Sequence, residues 1–210
     1  MKLTVDSLSA ERGARAVFSD VSFIVESGTL LRVTGANGAG KTTLLRILAG
    51  LGSAHDGTVT WADDAKNASS LPANLAAYFV GHANAFNDAL TVRENLSYCA
   101  ALAGVNANDA ILDAALTALG VRAFINRRFG TLSQGQRKRT SLARLMLAAR
   151  DASHTRRAWL LDEPFVALDV DTQMALASLI RAELRAGGLV IYTSHQDVVI
   201  ACEKTQSVAL

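Results

Sequence analysis

One octet constrains the fold of this chain more than any other feature: Gly35-Ala36-Asn37-Gly38-Ala39-Gly40-Lys41-Thr42, which follows the apolar run LLRVT and leads directly into TLLRILAG. The spacing is G-x-x-x-x-G-K-[ST], and a strand before it with a helix after it is the setting that a phosphate loop requires. Glycines let backbone N–H groups turn inward around β- and γ-phosphates, Lys41 supplies a point charge, and Thr42 offers a hydroxyl to Mg²⁺. The helix that starts here directs the positive end of its dipole at the same phosphates. The octet therefore reads as a nucleoside triphosphate site.

Around it, short β-type runs alternate with helical ones, the pattern of a layered α/β domain. The expected strands are LTVDSL near the start, LLRVTG at 30–35, TVTW at 58–61, AAYFV at 76–80, AWLLD at 158–162 and LVIYTS at 189–194. The last two are apolar throughout, as in strands buried on both faces. Residues 91–149 are helical in character (VRENLSYCAALAG, NDAILDAALTALG, QGQRKRTSLARLMLAAR) and interrupt the alternation, so they read as an inserted helical subdomain. Weaker loops fall at 62–74 and 126–131, and no repeat or low-complexity segment occurs. With 210 residues, half of them hydrophobic, the chain suits one domain, 1–210, with a core of its own.

A second acidic feature complements the loop. Ala158-Trp159-Leu160-Leu161-Asp162-Glu163-Pro164 is an apolar strand that ends in two carboxylates, delivered to the carboxyl edge of the sheet where open α/β sheets bind ligands. Asp162 is placed to orient Mg²⁺ through water, and Glu163 to polarise an attacking water. Together with the loop, the pair indicates hydrolysis of the triphosphate. Thr131-Leu132-Ser133-Gln134-Gly135-Gln136 opens the helix QRKRTSLARLML, with Ser133 as a natural N-cap. A serine-capped, basic helix start suits phosphate. Since the octet already cradles one nucleotide, this second site reads as serving a nucleotide held by another copy or a partner.

Charge and composition narrow the rest. Ten basic residues lie in 122–157, Arg122, Arg127, Arg128, Arg137, Lys138, Arg139 and Arg144 among them, against the one acid Asp151. They form either a solvated helix face or a surface for an anionic partner. Nucleic acid is a poor partner, since few aromatics interleave with the cluster and the net charge is only +2. No apolar run nears the roughly 20 residues that span a bilayer, and the start MKLTVDSLSAERGARAVF lacks a signal core, so the chain reads as soluble with a mature N-terminus. Cys99 and Cys202 are far apart, which suggests reduced core thiols in a cytoplasmic setting.

Nearly the whole chain resembles an ATP-binding cassette (ABC) nucleotide-binding domain. The resemblance is carried by the loop GANGAGKTT at 35–43, which includes Thr43, by the signature LSQGQ, by the LLDEP strand, by Ala167-Leu168-Asp169, and by His195 in Tyr192-Thr193-Ser194-His195-Gln196. It implies a RecA-like core, an N-terminal antiparallel β subdomain and the inserted helical subdomain. It further implies ATP and Mg²⁺ as ligands and a head-to-tail homodimer around two ATP molecules. In that dimer Ser133 and Gly135 of one copy close over the γ-phosphate held by the other, Asp169 bridges the two sites, and His195 holds the γ-phosphate and the attacking water. The helical insertion then corresponds to the part that meets integral membrane subunits.

Two positions depart from the family pattern. Where many relatives stack an aromatic on adenine, counting back from Val17-Phe18 arrives at Arg12, which either stacks its planar guanidinium on the base or is an ordinary surface arginine. Where a glutamine is usual, Tyr78-Phe79-Val80-Gly81-His82 places a histidine. Mg²⁺ prefers oxygen donors, so His82 is expected to act by hydrogen bonding and to couple the nucleotide site to the helical subdomain, or else to be a polar loop residue without catalytic contact. These departures, the short length, Gly81-His82 ahead of Leu90-Thr91-Val92-Arg93-Glu94-Asn95-Leu96, Trp159-Leu160-Leu161-Asp162-Glu163-Pro164-Phe165 and Ser194-His195-Gln196 are together similar to the ATP-binding subunits of haem exporters in bacterial cytochrome c maturation. That likeness implies a peripheral ATPase on the cytoplasmic face of the inner membrane, with no direct haem contact. The alternatives are an ABC subunit for another cargo and a soluble ABC ATPase acting on ribosomes or DNA. A phosphate-loop kinase would leave the LSQGQ helix without a task.

Overall fold

A computed structural model describes residues 1–62, 70–81, 85–102, 104–105, 108–148, 158–195, 198 and 200–210. In chain order the strands are β1 (Lys2–Arg12), β2 (Arg15–Glu26), β3 (Thr29–Thr34), β4 (Asp56–Ala62), β5 (Ser70–Leu71), β6 (Ala77–Val80), β7 (Ala158–Leu161), β8 (Val190–Thr193) and β9 (Lys204–Ala209). The helices are α1 (Lys41–Leu48), α2 (Ala73–Ala76), α3 (Val92–Leu102), α4 (Asp109–Ala118), α5 (Gln134–Ala148) and α6 (Val170–Arg185). They form two compact units, one of Met1–His82, Thr155–Pro164 and Arg181–Leu210, the other of Ala83–His154 and Phe165–Ile180.

The first unit holds both sheets. An antiparallel sheet runs β2-β1-β4-β5, and a parallel sheet runs β6-β7-β8-β3-β9. In the parallel sheet β8 stands between the strand that ends in the acids and the strand that feeds the phosphate loop. β7 and β8 are buried at every residue, as expected of central parallel strands. α1 contributes Leu44, Leu45, Ile47 and Leu48 to a core cluster shared with Leu3, Val5 and Val25 of the antiparallel sheet and Leu31, Val33, Leu160 and Ile191 of the parallel one. The helix ends where Gly50, at φ 70°, turns the chain back so that Gly50 N–H bonds Ile47 O and Leu51 N–H bonds Arg46 O. Trp61 Nε1 donates to Leu48 O at 3.0 Å, which satisfies another terminal carbonyl and ties β4 to α1.

The second unit packs α3, α4 and α5 around Leu96, Leu112, Leu116, Leu142 and Leu145, all buried. These helices lie in the chain between β6 and β7, which are parallel neighbours, so the insertion expected at 91–149 spans helices running from Val92 to Ala148.

Several elements differ from the sequence expectation. β2, β9 and α6 were not anticipated. β2 and β9 are edge strands; β9 (KTQSVA) is mostly exposed and carries no strong apolar period, whereas β2 buries Phe18 and Val25 and alternates over Val21, Phe23 and Val25. The strand expected at 76–80 starts one residue later, because Ala76 closes α2. Cys99 and Cys202 are free thiols, but both are only half-buried and neither belongs to the core; burial raises the pKa of each above the usual thiol range. No helix among the described residues is long and apolar enough to cross a membrane.

Candidate functional site

The loop takes its shape from glycine. Gly35, Gly38 and Gly40 have φ of 145°, 85° and 98°, a region that other residues adopt at a cost. Gly40 is the N-cap of α1, and a Cβ there would run into Val17 and Phe18 of β2. No side chain among the described residues caps α1, so its leading N–H groups remain for a ligand. Lys41 is buried, and its Nζ donates to the loop carbonyls of Gly35 at 2.8 Å and Ala36 at 3.0 Å.

The acids converge on this loop. Thr42 Oγ1 donates to Asp162 Oδ2 at 2.8 Å, although the residues are 120 apart in sequence. Thr193 Oγ1 donates to Asp162 Oδ1 at 2.9 Å and accepts the Glu163 N–H at 2.8 Å. Glu163 has φ 50°, left-handed backbone that costs a residue with a side chain on the order of 1–3 kcal/mol unless its surroundings enforce it. Its Oε1 lies 3.1 Å from His195 Nε2, while its Oε2 is buried without a hydrogen-bond partner among the described residues. These groups surround one cleft of about 290 Å³. Asn37, Gly38, Gly40, Lys41, Thr42 and Thr43 line it from the loop and α1, Asp162, Glu163 and His195 from the sheet, and Arg12 and Val17 from the β1–β2 hairpin. Arg12, itself exposed, thus faces the same cleft as the loop.

The donor set fits Mg²⁺. A hydroxyl and a carboxylate stand in contact at Thr42 and Asp162, and no cluster of three or more His, Cys, Asp or Glu occurs among the described residues. Mg²⁺ is commonly held in this way, by one or two protein oxygens with waters and substrate phosphates, rather than in an all-protein cage.

The LSQGQ segment starts α5 with a capping box. Ser133 Oγ accepts the Gln136 N–H at 3.3 Å, and Gln136 Oε1 accepts the Ser133 N–H at 3.0 Å. Leu132 is buried beneath it, while Ser133 and Gln134 are exposed. A Cβ on Gly135 would lie 3.5 Å from Ala167 O, which brings the segment against Ala167-Leu168-Asp169. Asp169 is itself the cap of α6, accepting the Thr172 N–H at 2.8 Å, and it lies 3.6 Å from Arg139. The Thr172 hydrogen bonds hold its carboxyl below the usual range, with a smaller contribution from Arg139.

Among the described residues of the basic stretch, Arg122, Arg127 and Arg128 are exposed, and most of the others are engaged within the protein. Arg122 pairs with Asp113 at 2.8 Å, and Arg127 donates to Thr131 O. Arg137 donates to Gly130 O and Leu132 O and lies over the Phe129 ring. Lys138 and Arg144 are buried, the latter over Phe86. Arg128 is exposed, and Arg150, Arg156 and Arg157 lie outside the described residues, as do His82 and Gln196. Thr193 was not singled out from the sequence; its one signal is a hydroxyl that ends the apolar run LVIYT.

Comparison with known proteins agrees with this geometry. The family described as ABC transporter matches residues 18–166. The chain is 39% identical over 213 residues to the cytochrome c biogenesis ATP-binding export protein CcmA of Albidiferax ferrireducens, covering 99% of this chain and 96% of that one. It is 39% identical over 208 residues to CcmA of Rhizobium meliloti, covering 98% and 96%. Among solved structures, a putative ABC transporter ATP-binding protein from Pyrococcus furiosus superposes with a TM-score of 0.77 at 24% identity, covering 99% of this chain and 97% of that one. An ATP-binding subunit of an ABC transporter gives a TM-score of 0.77 at 21% identity, covering 93% and 80%. A phosphate loop joined to paired acids, a capped LSQGQ helix and this likeness along nearly its whole length place the chain in the ABC transporter family, as an ATP-binding subunit that resembles CcmA.

Proposed function

We propose that the chain is the ATP-hydrolysing subunit of a translocase that exports or delivers haem for c-type cytochrome maturation. The observation that carries the catalytic part is the run of contacts from Thr42 through Asp162 and Thr193 to Glu163 and His195, which assembles oxygen donors and a carboxylate base at one cleft. ATP lies with its phosphates against the N–H groups of residues 35–43, and Lys41 exchanges the Gly35 and Ala36 carbonyls for phosphate oxygens. Thr42 and Asp162 would hold Mg²⁺, which when bound would neutralise charge on the phosphate oxygens. Glu163 orients water for attack on the γ-phosphorus and accepts its proton, and His195 steadies that carboxylate and the γ-phosphate. ADP and phosphate leave, and Glu163 releases the proton to solvent. Arg12 stacks its guanidinium on the adenine.

Two copies work head to tail. Ser133 and Gly135, shaped by Leu132, Gln134 and Gln136, close over the γ-phosphate of the opposite copy, and Asp169 bridges the two sites. The helical insertion, 91–149, docks on integral membrane subunits at the cytoplasmic face of the inner membrane, with His82 coupling hydrolysis to that contact. Support for the pathway comes from the cytochrome c biogenesis relatives that match nearly the full chain. A nucleic-acid role loses support, because the described basic side chains of 122–144 are largely engaged within the protein.

Glu163→Gln is expected to keep ATP binding and to lower turnover by about 10²- to 10⁴-fold, the usual worth of a general base. Unchanged steady-state ATPase in that variant would remove Glu163 from the mechanism. Co-purification from solubilised membranes, followed by mass spectrometry, tests the pathway: companions belonging to an amino-acid or metal importer would overturn the haem assignment.

A further inference from the structure

We propose that Thr193 is a positioning residue of the nucleotide site, its single hydroxyl setting the Asp162 carboxylate and the Glu163 backbone relative to each other. The inference rests on the ATPase reading above and adds a residue to it.

Thr193 ends β8 and is fully buried. A hydroxyl has one proton. Here that proton goes to Asp162 Oδ1, and the oxygen accepts the Glu163 N–H. The other oxygen of Asp162 accepts Thr42 Oγ1, and the Asp162 N–H donates to Val80 O at 2.8 Å. The carboxylate is thus held from β8 on one side and from α1 on the other. Glu163 is held from the same segment at both ends, its backbone by Thr193 and its carboxylate by His195 two residues later. The left-handed φ of Glu163 needs such enforcement, since nothing intrinsic to a glutamate favours it.

Register explains why this position can do so. Leu161 pairs with Tyr192, so the next step along β7 and β8 brings Asp162 beside Thr193. Val33 pairs with Thr193 on the other side, two residues before the loop opens at Gly35. Valine would fill the same volume and continue the apolar character of β8, whereas a buried hydroxyl is costly unless paired. The proton and one lone pair of this one are used on site residues. A hydroxyl that served local stability alone would show no link to metal or turnover, and that difference can be measured.

The full-length chain is compared with Thr193→Val, Thr193→Ser and Thr193→Ala by titration with the fluorescent nucleotide TNP-ATP, in EDTA and in Mg²⁺, and by steady-state ATPase with ATP and Mg²⁺ varied. In EDTA, Val and Ala are expected to match the wild type. They should lose about 10- to 100-fold in kcat or in Mg²⁺ half-saturation, the usual effect of removing a hydrogen bond that orients a metal ligand, with KM for ATP little changed. Serine should restore most of the loss. Wild-type turnover and Mg²⁺ dependence in Thr193→Val, equal loss of binding in EDTA and in Mg²⁺, or a serine variant as impaired as alanine would each overturn the proposal. If the valine variant does not fold, serine and alanine differ by the hydroxyl alone and carry the comparison. A wild-type chain without ATPase would sink the hydrolysis reading, while the Mg²⁺-dependent gain in TNP-ATP affinity would still report on Thr193.

Discussion

Gly40 shows how much of the site depends on single atoms. Its φ of 98° and the space taken by Val17 and Phe18 exclude any side chain at the start of α1. Gly40→Ala is expected to cost about 1–3 kcal/mol in backbone strain alone, read in a thermal melt at roughly 2–4 °C per kcal/mol for a chain of this size, and to abolish TNP-ATP binding. Retained binding with an unchanged melting temperature would mean that the loop does not need this conformation. Glu163 meets the opposite demand: it occupies left-handed backbone with a full side chain, and neighbouring hydrogen bonds hold it there. Which residues line the cleft is legible from local runs such as GANGAGKT and LLDEP, because a glycine-rich loop and a strand-end acid pair are short-range patterns. The conformation of Glu163 was not legible, because it is set by Thr193, which lies 30 residues away.

At the scale of the element, α3, α4, α5 and α6 begin with side-chain caps, whereas α1 begins at Gly40 without one. Thr91 and Glu94 form a capping box at α3, Ser133 and Gln136 another at α5, Asn108 caps α4 and Asp169 caps α6. The Thr91 hydrogen bonds hold the Glu94 carboxyl below its usual range, so it stays ionised and keeps accepting. Ser133 serves the helix and, in the proposed dimer, the opposite nucleotide. Ser133→Ala should therefore cost roughly 0.5–2 kcal/mol of stability as a lost cap and, separately, a fall in turnover at saturating ATP. Loss of stability without any loss of turnover would limit Ser133 to capping. The α5 cap was legible from Ser133 followed by Gln136, whereas β9 was not, since it buries too little to show a period; the alternation of Val21, Phe23 and Val25 in β2 was there to be read.

For the whole molecule, the proposed head-to-tail dimer predicts that specific ATPase activity falls on dilution, and that Glu163→Gln with MgATP sediments at twice the mass of the chain. A monomeric mass for that variant, together with constant specific activity over a hundredfold dilution, would rule the dimer out. The basic stretch illustrates how position in the fold overrides composition. Counted along the sequence it reads as either a solvated face or an anion surface, yet Arg137 and Arg144 lie over rings, while Arg122, Arg127 and Arg128 stay exposed.

The glycine-rich loop, the acidic strand end and the capped signature helix are each encoded by residues a few positions apart and so are readable locally. How they meet depends on the fold. Thr42 reaches Asp162 across 120 residues and Thr193 reaches it across 31. Those contacts follow from the order and register of parallel strands, in which β8 stands between β7 and β3, and no local spacing records that order.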